Sequence, residues 1–176
     1  MSFWGHIRRA QVGPQTRPLY SPEERRRRDE TPWTLVQGVL APLQFLAFLV
    51  SLALVARYLA IGEGFEIATW SVVVKTLLLY AIMITGSIWE RVVFGRYLFA
   101  PAFFWEDVFS ILVLVLHTAY LFALITDIGN AREQMLLVLA AYASYAINAT
   151  QFLLKLRAAR VQSSEQPAHI VAEAAK

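Results

Sequence analysis

Four apolar stretches, Trp33 to Ala56, Ile67 to Trp89, Val108 to Thr126 and Gln134 to Leu156, dominate the chain. A helix crossing a bilayer needs about 20 mostly apolar residues, and each stretch supplies them. The first and third contain no Asp, Glu, Lys or Arg, the second contains only Lys75, and the fourth only Lys155, near its far end. Spanning strands are shorter, and a barrel needs at least about eight of them, so helices are implied. Hydrophobic residues make up 57% of the chain and charged residues 16%, a balance that excludes an ordinary soluble domain. The expected fold is all-α, an integral membrane bundle of four transmembrane helices. Residues 1–32 read as a basic tail with a short surface helix, residues 33–156 as the transmembrane domain, and residues 157–176 as a polar carboxyl tail, disordered after Val161.

Lysines and arginines near the span ends orient the bundle. Placing both tails and the middle connection on one side puts Arg8, Arg9, Arg17, Arg25 to Arg28, Arg91, Arg96, Lys155, Arg157, Arg160 and Lys176 together, against Arg57 and Arg132 on the other. Both termini are therefore expected in the cytoplasm. Ser21, Pro22 and Glu24 read as an N-cap, a first-turn proline and a capping-box glutamate that start a short helix through Arg28. The Arg25 to Arg28 run fits an anionic lipid surface better than a nucleic acid. No cysteine is present, which excludes disulfides, thiolate metal sites and a cysteine nucleophile.

Polar residues within or beside the spans are the candidate site, because burying them in hydrocarbon is costly unless they are paired or wetted. At ~1.5 Å per residue, Gln44, Tyr80, His117 and Tyr145 fall about 15 to 18 Å from the cytoplasmic helix ends, with Asn148 shallower. They are expected to share one polar layer in a cavity opening at the cytoplasmic rim. Interhelical hydrogen bonding is the plainer alternative for each of them. Glu106 and His117 lie about 20° apart in rotation and about 16 Å apart in rise, on one face of the third span. For His117, bonding to another helix competes with ligation of a metal within a bound cofactor. Lys75 is expected to snorkel toward Glu63 or Glu66. Glu90, Glu106 and Asp107 flank an aromatic-rich middle connection holding Phe94, Tyr97, Phe99, Phe103, Phe104, Trp105 and Phe109. Carboxyls so placed either pair with Arg91 and Arg96 at the surface or form a general acid beside an ionised general base.

The segments WTLVQGVLAPLQFL (Trp33 to Leu46), AIMITGSIWERVVFGRYLFAPAFFWEDVFS (Ala81 to Ser110) and LHTAYL (Leu116 to Leu121) resemble the 3-vinyl bacteriochlorophyllide hydratase family of bacteriochlorophyll biosynthesis, over roughly Leu19 to Arg160. That resemblance implies a hydro-lyase adding water across the C3-vinyl group of a chlorophyllide-type tetrapyrrole to leave a 1-hydroxyethyl group. It implies no cofactor, since the magnesium belongs to the substrate, and a place in the inner or intracytoplasmic photosynthetic membrane of a phototrophic bacterium. Other enzymes of the pathway are candidate partners. Within this reading Glu106 or Glu90 is the general acid, Asp107 activates water and His117 approaches the substrate magnesium. Arg91 and Arg96 meet its propionate, Phe103, Phe104, Trp105 and Phe109 stack on the macrocycle, and Gln44, Tyr80, Tyr145 and Asn148 line the pocket. A non-catalytic pigment-binding or photosystem assembly protein is the alternative. A small transporter is disfavoured because the first span lacks an embedded carboxylate.

Overall fold

The computed structural model describes residues 19–174. Residues 1–18, to which no catalytic role was assigned, lie outside the described residues, as does Lys176. Five helices follow in order: α1 (Pro22–Glu30), α2 (Pro32–Ile61), α3 (Phe65–Phe94), α4 (Phe104–Ile125) and α5 (Ala131–Ala174). Four of them are long and apolar enough to cross a membrane.

Local chemistry sets each boundary. Ser21 Oγ accepts from the Glu24 amide and the Glu24 carboxylate accepts from the Ser21 amide, so the expected capping box forms, although α1 runs on to Glu30. Ser21→Ala is expected to cost about 1 kcal/mol of helix stability, read as earlier proteolysis of the α1 segment in detergent. Thr31 caps α2, which continues through Pro42 and ends at Gly62 with φ 78°. Gly95, at φ 79°, ends α3 one turn beyond Glu90. Glu106 and Asp107 occupy the first turn of α4, where the helix dipole favours negative charge. All three carboxylates therefore belong to helices rather than to the connection.

The expected disorder after Val161 is not what the backbone shows: α5 runs unbroken across the 156/157 boundary to Ala174. Helix-favouring Ala, Glu and Gln supply much of that extension.

α2 pairs with α3 and α4 with α5 as two hairpins, joined by narrower α2–α5 and α3–α4 seams, while α1 lies against α3. The core of Phe48, Val55, Val72, Leu79, Val113, Met135 and Tyr142 fills the centre. A second cluster, at the end carrying the carboxylates, gathers Tyr20, Val93 and Phe103 with Trp89, Phe94 and Phe152. Buried Tyr20 stacks on Phe94 at 5.8 Å, and its burial raises the phenol above its ordinary pKa.

Polarity runs opposite to that of a soluble protein. Leu35, Trp70, Phe122 and Ile125 are exposed, whereas Lys75, His117, Gln44, Glu90, Glu106 and Asp107 are buried. An apolar exterior around a polar interior suits a protein whose surroundings are lipid, so the chain is a multi-pass membrane protein.

Candidate active site

The inward face of α4 carries Glu106, Asp107, Ser110, Val113, His117 and Tyr120, a stripe at helical spacing. Three polar groupings form along it.

The first lies at the α3/α4 ends. Glu90 and Asp107 bring their carboxyls within hydrogen-bonding reach of each other, a contact favoured when one proton lies between the two. The connection folds back over them. Asp107 accepts from the Phe99 amide at 2.7 Å and Glu90 from the Ala100 amide at 3.3 Å. Phe99 adopts φ 59°, a left-handed conformation costing an L-residue about 1–2 kcal/mol, and its bond to Asp107 offsets part of that cost. Residues 95–103 thus form a strap over the pair. Glu106 instead meets Lys155 of α5 at 2.6 Å, and Lys155 also donates to the Ala102 carbonyl and lies 4.7 Å from the Phe103 ring centre.

These contacts replace the surface pairing considered for the carboxylates. Among the described residues neither Arg91 nor Arg96 bridges a carboxylate. Arg91 donates to the Gly95 carbonyl and faces the Tyr97 ring, and Arg96 is exposed. Lys155→Met is expected to destabilise the fold by on the order of 3 kcal/mol by leaving Glu106 unpaired. Adding Glu106→Gln should recover part of that loss, as measured by chemical unfolding in micelles.

A second grouping binds the middle of the bundle: Asn148 donates to Ser110 Oγ at 2.8 Å, and Gln44 is buried on α2. The third lies deeper. Lys75, fully buried, reaches His117 Nε2 at 2.9 Å and faces the rings of Tyr145 at 4.3 Å and Tyr142 at 5.2 Å. The expected snorkelling is therefore corrected: His117 and two aromatic faces give the amine an interior alternative. The Val113 carbonyl can only accept, so His117 donates through Nδ1 at 2.8 Å and offers Nε2 to Lys75. Both ring nitrogens are occupied, and engaging a magnesium would require Lys75 to release one. Tyr142 continues the grouping by donating to Ser51 Oγ at 2.5 Å, which meets Ser71 Oγ at 2.7 Å.

The single polar layer expected for Gln44, Tyr80, His117 and Tyr145 is thus divided. His117 lies level with Tyr142, their ring centres 5.8 Å apart, whereas Gln44 lies one turn closer to the carboxylates than Phe48. Tyr80 lies at the α3–α4 seam, bonded to Thr118 at 2.8 Å. The aromatics divide similarly. Phe103 is buried against Trp89 at 5.7 Å, Phe109 is half-buried, and Phe104 and Trp105 are exposed. The strap lies across the rim where the opening was expected. A groove of about 470 Å³ lined by residues such as Leu46, Val50, Trp70 and Val74 lies on the α2/α3 surface, and a cleft of about 300 Å³ lies at Tyr58 to Gly62 beside Arg132. Neither borders the carboxylates.

A buried acid pair under a strap, in an apolar-surfaced bundle, is able to give and take a proton away from bulk water. A family model described as 2-vinyl bacteriochlorophyllide hydratase matches residues 20–158. The chain belongs to the 2-vinyl bacteriochlorophyllide hydratase family.

Two curated members of that family are close relatives. The 2-vinyl bacteriochlorophyllide hydratase of Rhodobacter capsulatus is 65% identical over 155 residues, covering 88% of this chain and 90% of the relative. That of Cereibacter sphaeroides is 66% identical over 145 residues, covering 82% and 90%. No solved structure matches. The hydratase-family match begins at Tyr20, the residue docked on Phe94 and Phe103, and extends past Lys155, so it encloses the whole carboxylate end. The sequence shows Lys155 in a polar stripe of the fourth span with Ser144, Asn148 and Gln151, but its pairing with Glu106 was not anticipated. Its position at a span end, level with the acidic first turn of α4, was the available signal.

Proposed function

We propose that this chain hydrates the vinyl group of a bacteriochlorophyllide-type magnesium tetrapyrrole to a 1-hydroxyethyl group, with Glu90 and Asp107 sharing the acid and base roles. One observation carries this reading: in a chain of a hydratase family, two carboxyls from different helices are buried side by side under one strap. Asp107 accepts the shorter amide bond, which suits the ionised partner, so Glu90 holds the proton.

The Glu90 proton goes to the terminal vinyl carbon, and the resulting positive charge sits on the carbon attached to the ring, where conjugation spreads it. Water forms its C–O bond at that carbon and gives a proton to Asp107. Transfer between the two carboxyls restores the starting state, so one water is consumed and the pair ends as it began. The chemistry calls for no resident cofactor.

The substrate reaches the pair when the strap gives up its amide bonds. Tyr97, Phe99, Phe104 and Trp105 are exposed around it, a set of ring faces suited to a flat pigment arriving from the lipid. Arg91 and Arg96 at the same end suit its carboxylate. The basic-residue balance supports a cytoplasmic position for this end, and the family supports the inner or intracytoplasmic photosynthetic membrane, where the poorly soluble product would pass to a following enzyme of the pathway.

The competing reading is a pigment carrier or assembly factor. A deletion strain separates the two: accumulation of the vinyl pigment supports the enzyme, while normal pigment with failed complex assembly supports the carrier.

A further inference from the structure

Water is the second substrate of a hydration, and the strap together with the apolar exterior closes the carboxyl pair to bulk solvent. The interior on the core side of that pair holds buried amides without partners among the described residues. Gln44 is 2% exposed and Asn148 8% exposed, and among the described residues neither the Gln44 amide oxygen and nitrogen nor the Asn148 oxygen has a hydrogen-bond partner. Buried amides are almost always satisfied, by protein or by ordered water.

These groups share one level. Phe48 and Tyr145 touch, with ring centres 4.8 Å apart. Gln44 lies one turn from Phe48 along α2, and Asn148 three residues from Tyr145 along α5, both toward the carboxylates. Asn148 donates to Ser110 Oγ at 2.8 Å, and Ser110 lies three residues from Asp107 on the inward face of α4, a rise of about 4.5 Å. The layer therefore presents two free amide oxygens, a free amide NH2 and the Ser110 hydroxyl one turn below the proposed base. A buried water needs two to four such partners, typically about three.

We propose that Gln44, Asn148 and Ser110 form an internal water site that delivers the attacking water to Asp107 from within the bundle, making them positioning residues for water rather than contacts for pigment. This rests on the hydration reading. Water passes from the site along Ser110 to Asp107, and the site refills when the strap opens.

The test is X-ray hydroxyl-radical labelling of the full-length protein in lipid nanodiscs, combined with kinetics of Gln44→Met. Radicals form from water at the point of irradiation, so Phe48 and Tyr145 should be oxidised despite their burial. The variant should lower kcat by about 10- to 100-fold while pigment KM stays within about twofold, since orientation of water rather than ground-state pigment binding is lost. Absence of label at both rings in the unaltered protein overturns the proposal, whether or not the variant folds. So does wild-type kcat in a folded Gln44→Met. Absence of hydration in the unaltered protein would refute the hydration reading instead, which the labelling result does not depend on.

Discussion

Asp107→Asn and Glu90→Gln should each lower kcat for vinyl hydration by about 10²–10⁴-fold, the range supplied by a positioned general acid or base. Pigment binding, followed by the shift of its absorption on titration into the purified protein, should change little. Each amide fits the space of the acid it replaces but can neither give up a proton to carbon nor take one from water. The pair also closes the strap, through Phe99 to Asp107 and Ala100 to Glu90. Both amides keep an oxygen to accept those bonds, so a folded but inactive protein is the expected result. Glu106→Gln should behave differently: its carboxylate is held by Lys155, and its loss should appear mainly as lowered stability. Full turnover in both Asp107→Asn and Glu90→Gln would remove the mechanism.

Phe103→Ala should be the most destabilising single change at the carboxylate end, costing about 3–5 kcal/mol, the usual range for a buried Phe truncated to Ala. The ring is 4% exposed and holds three elements together. It lies 6.4 Å from Tyr20 ahead of α1, 5.7 Å from Trp89 and from Phe94 of α3, and 6.0 Å from Phe152 of α5. It also lies beneath the Lys155 ammonium. Its removal should loosen the strap and release Tyr20, seen as a lower unfolding midpoint in denaturant and faster proteolysis ahead of α1. A loss below about 1 kcal/mol, within the range of a neutral surface change, would mean that this aromatic cluster does not hold the strap.

The bundle was legible because its physics is local. Apolar runs of spanning length, the Ser21 capping box and the spacing of Glu106, Ser110, Val113 and His117 on one face all follow from helix geometry and transfer energies. The resemblance supplied the reaction, which composition and spacing alone did not. The partners on opposing helices were not legible. Lys75 has acidic residues near the opposite surface and yet turns to His117, and nothing in the spacing distinguishes the two outcomes. The strap was also out of reach, because it depends on a left-handed Phe99, a conformation no local rule favours for phenylalanine.

The most direct test of the account is incubation of the purified protein with a vinyl chlorophyllide in oxygen-18 water without added cofactor, followed by mass analysis of the pigment. The predicted product is heavier by one water carrying the heavy oxygen, formed by the unaltered protein and not by a folded protein bearing both Glu90→Gln and Asp107→Asn. Recovery of unchanged vinyl pigment, or equal incorporation by the doubly substituted protein, would contradict it.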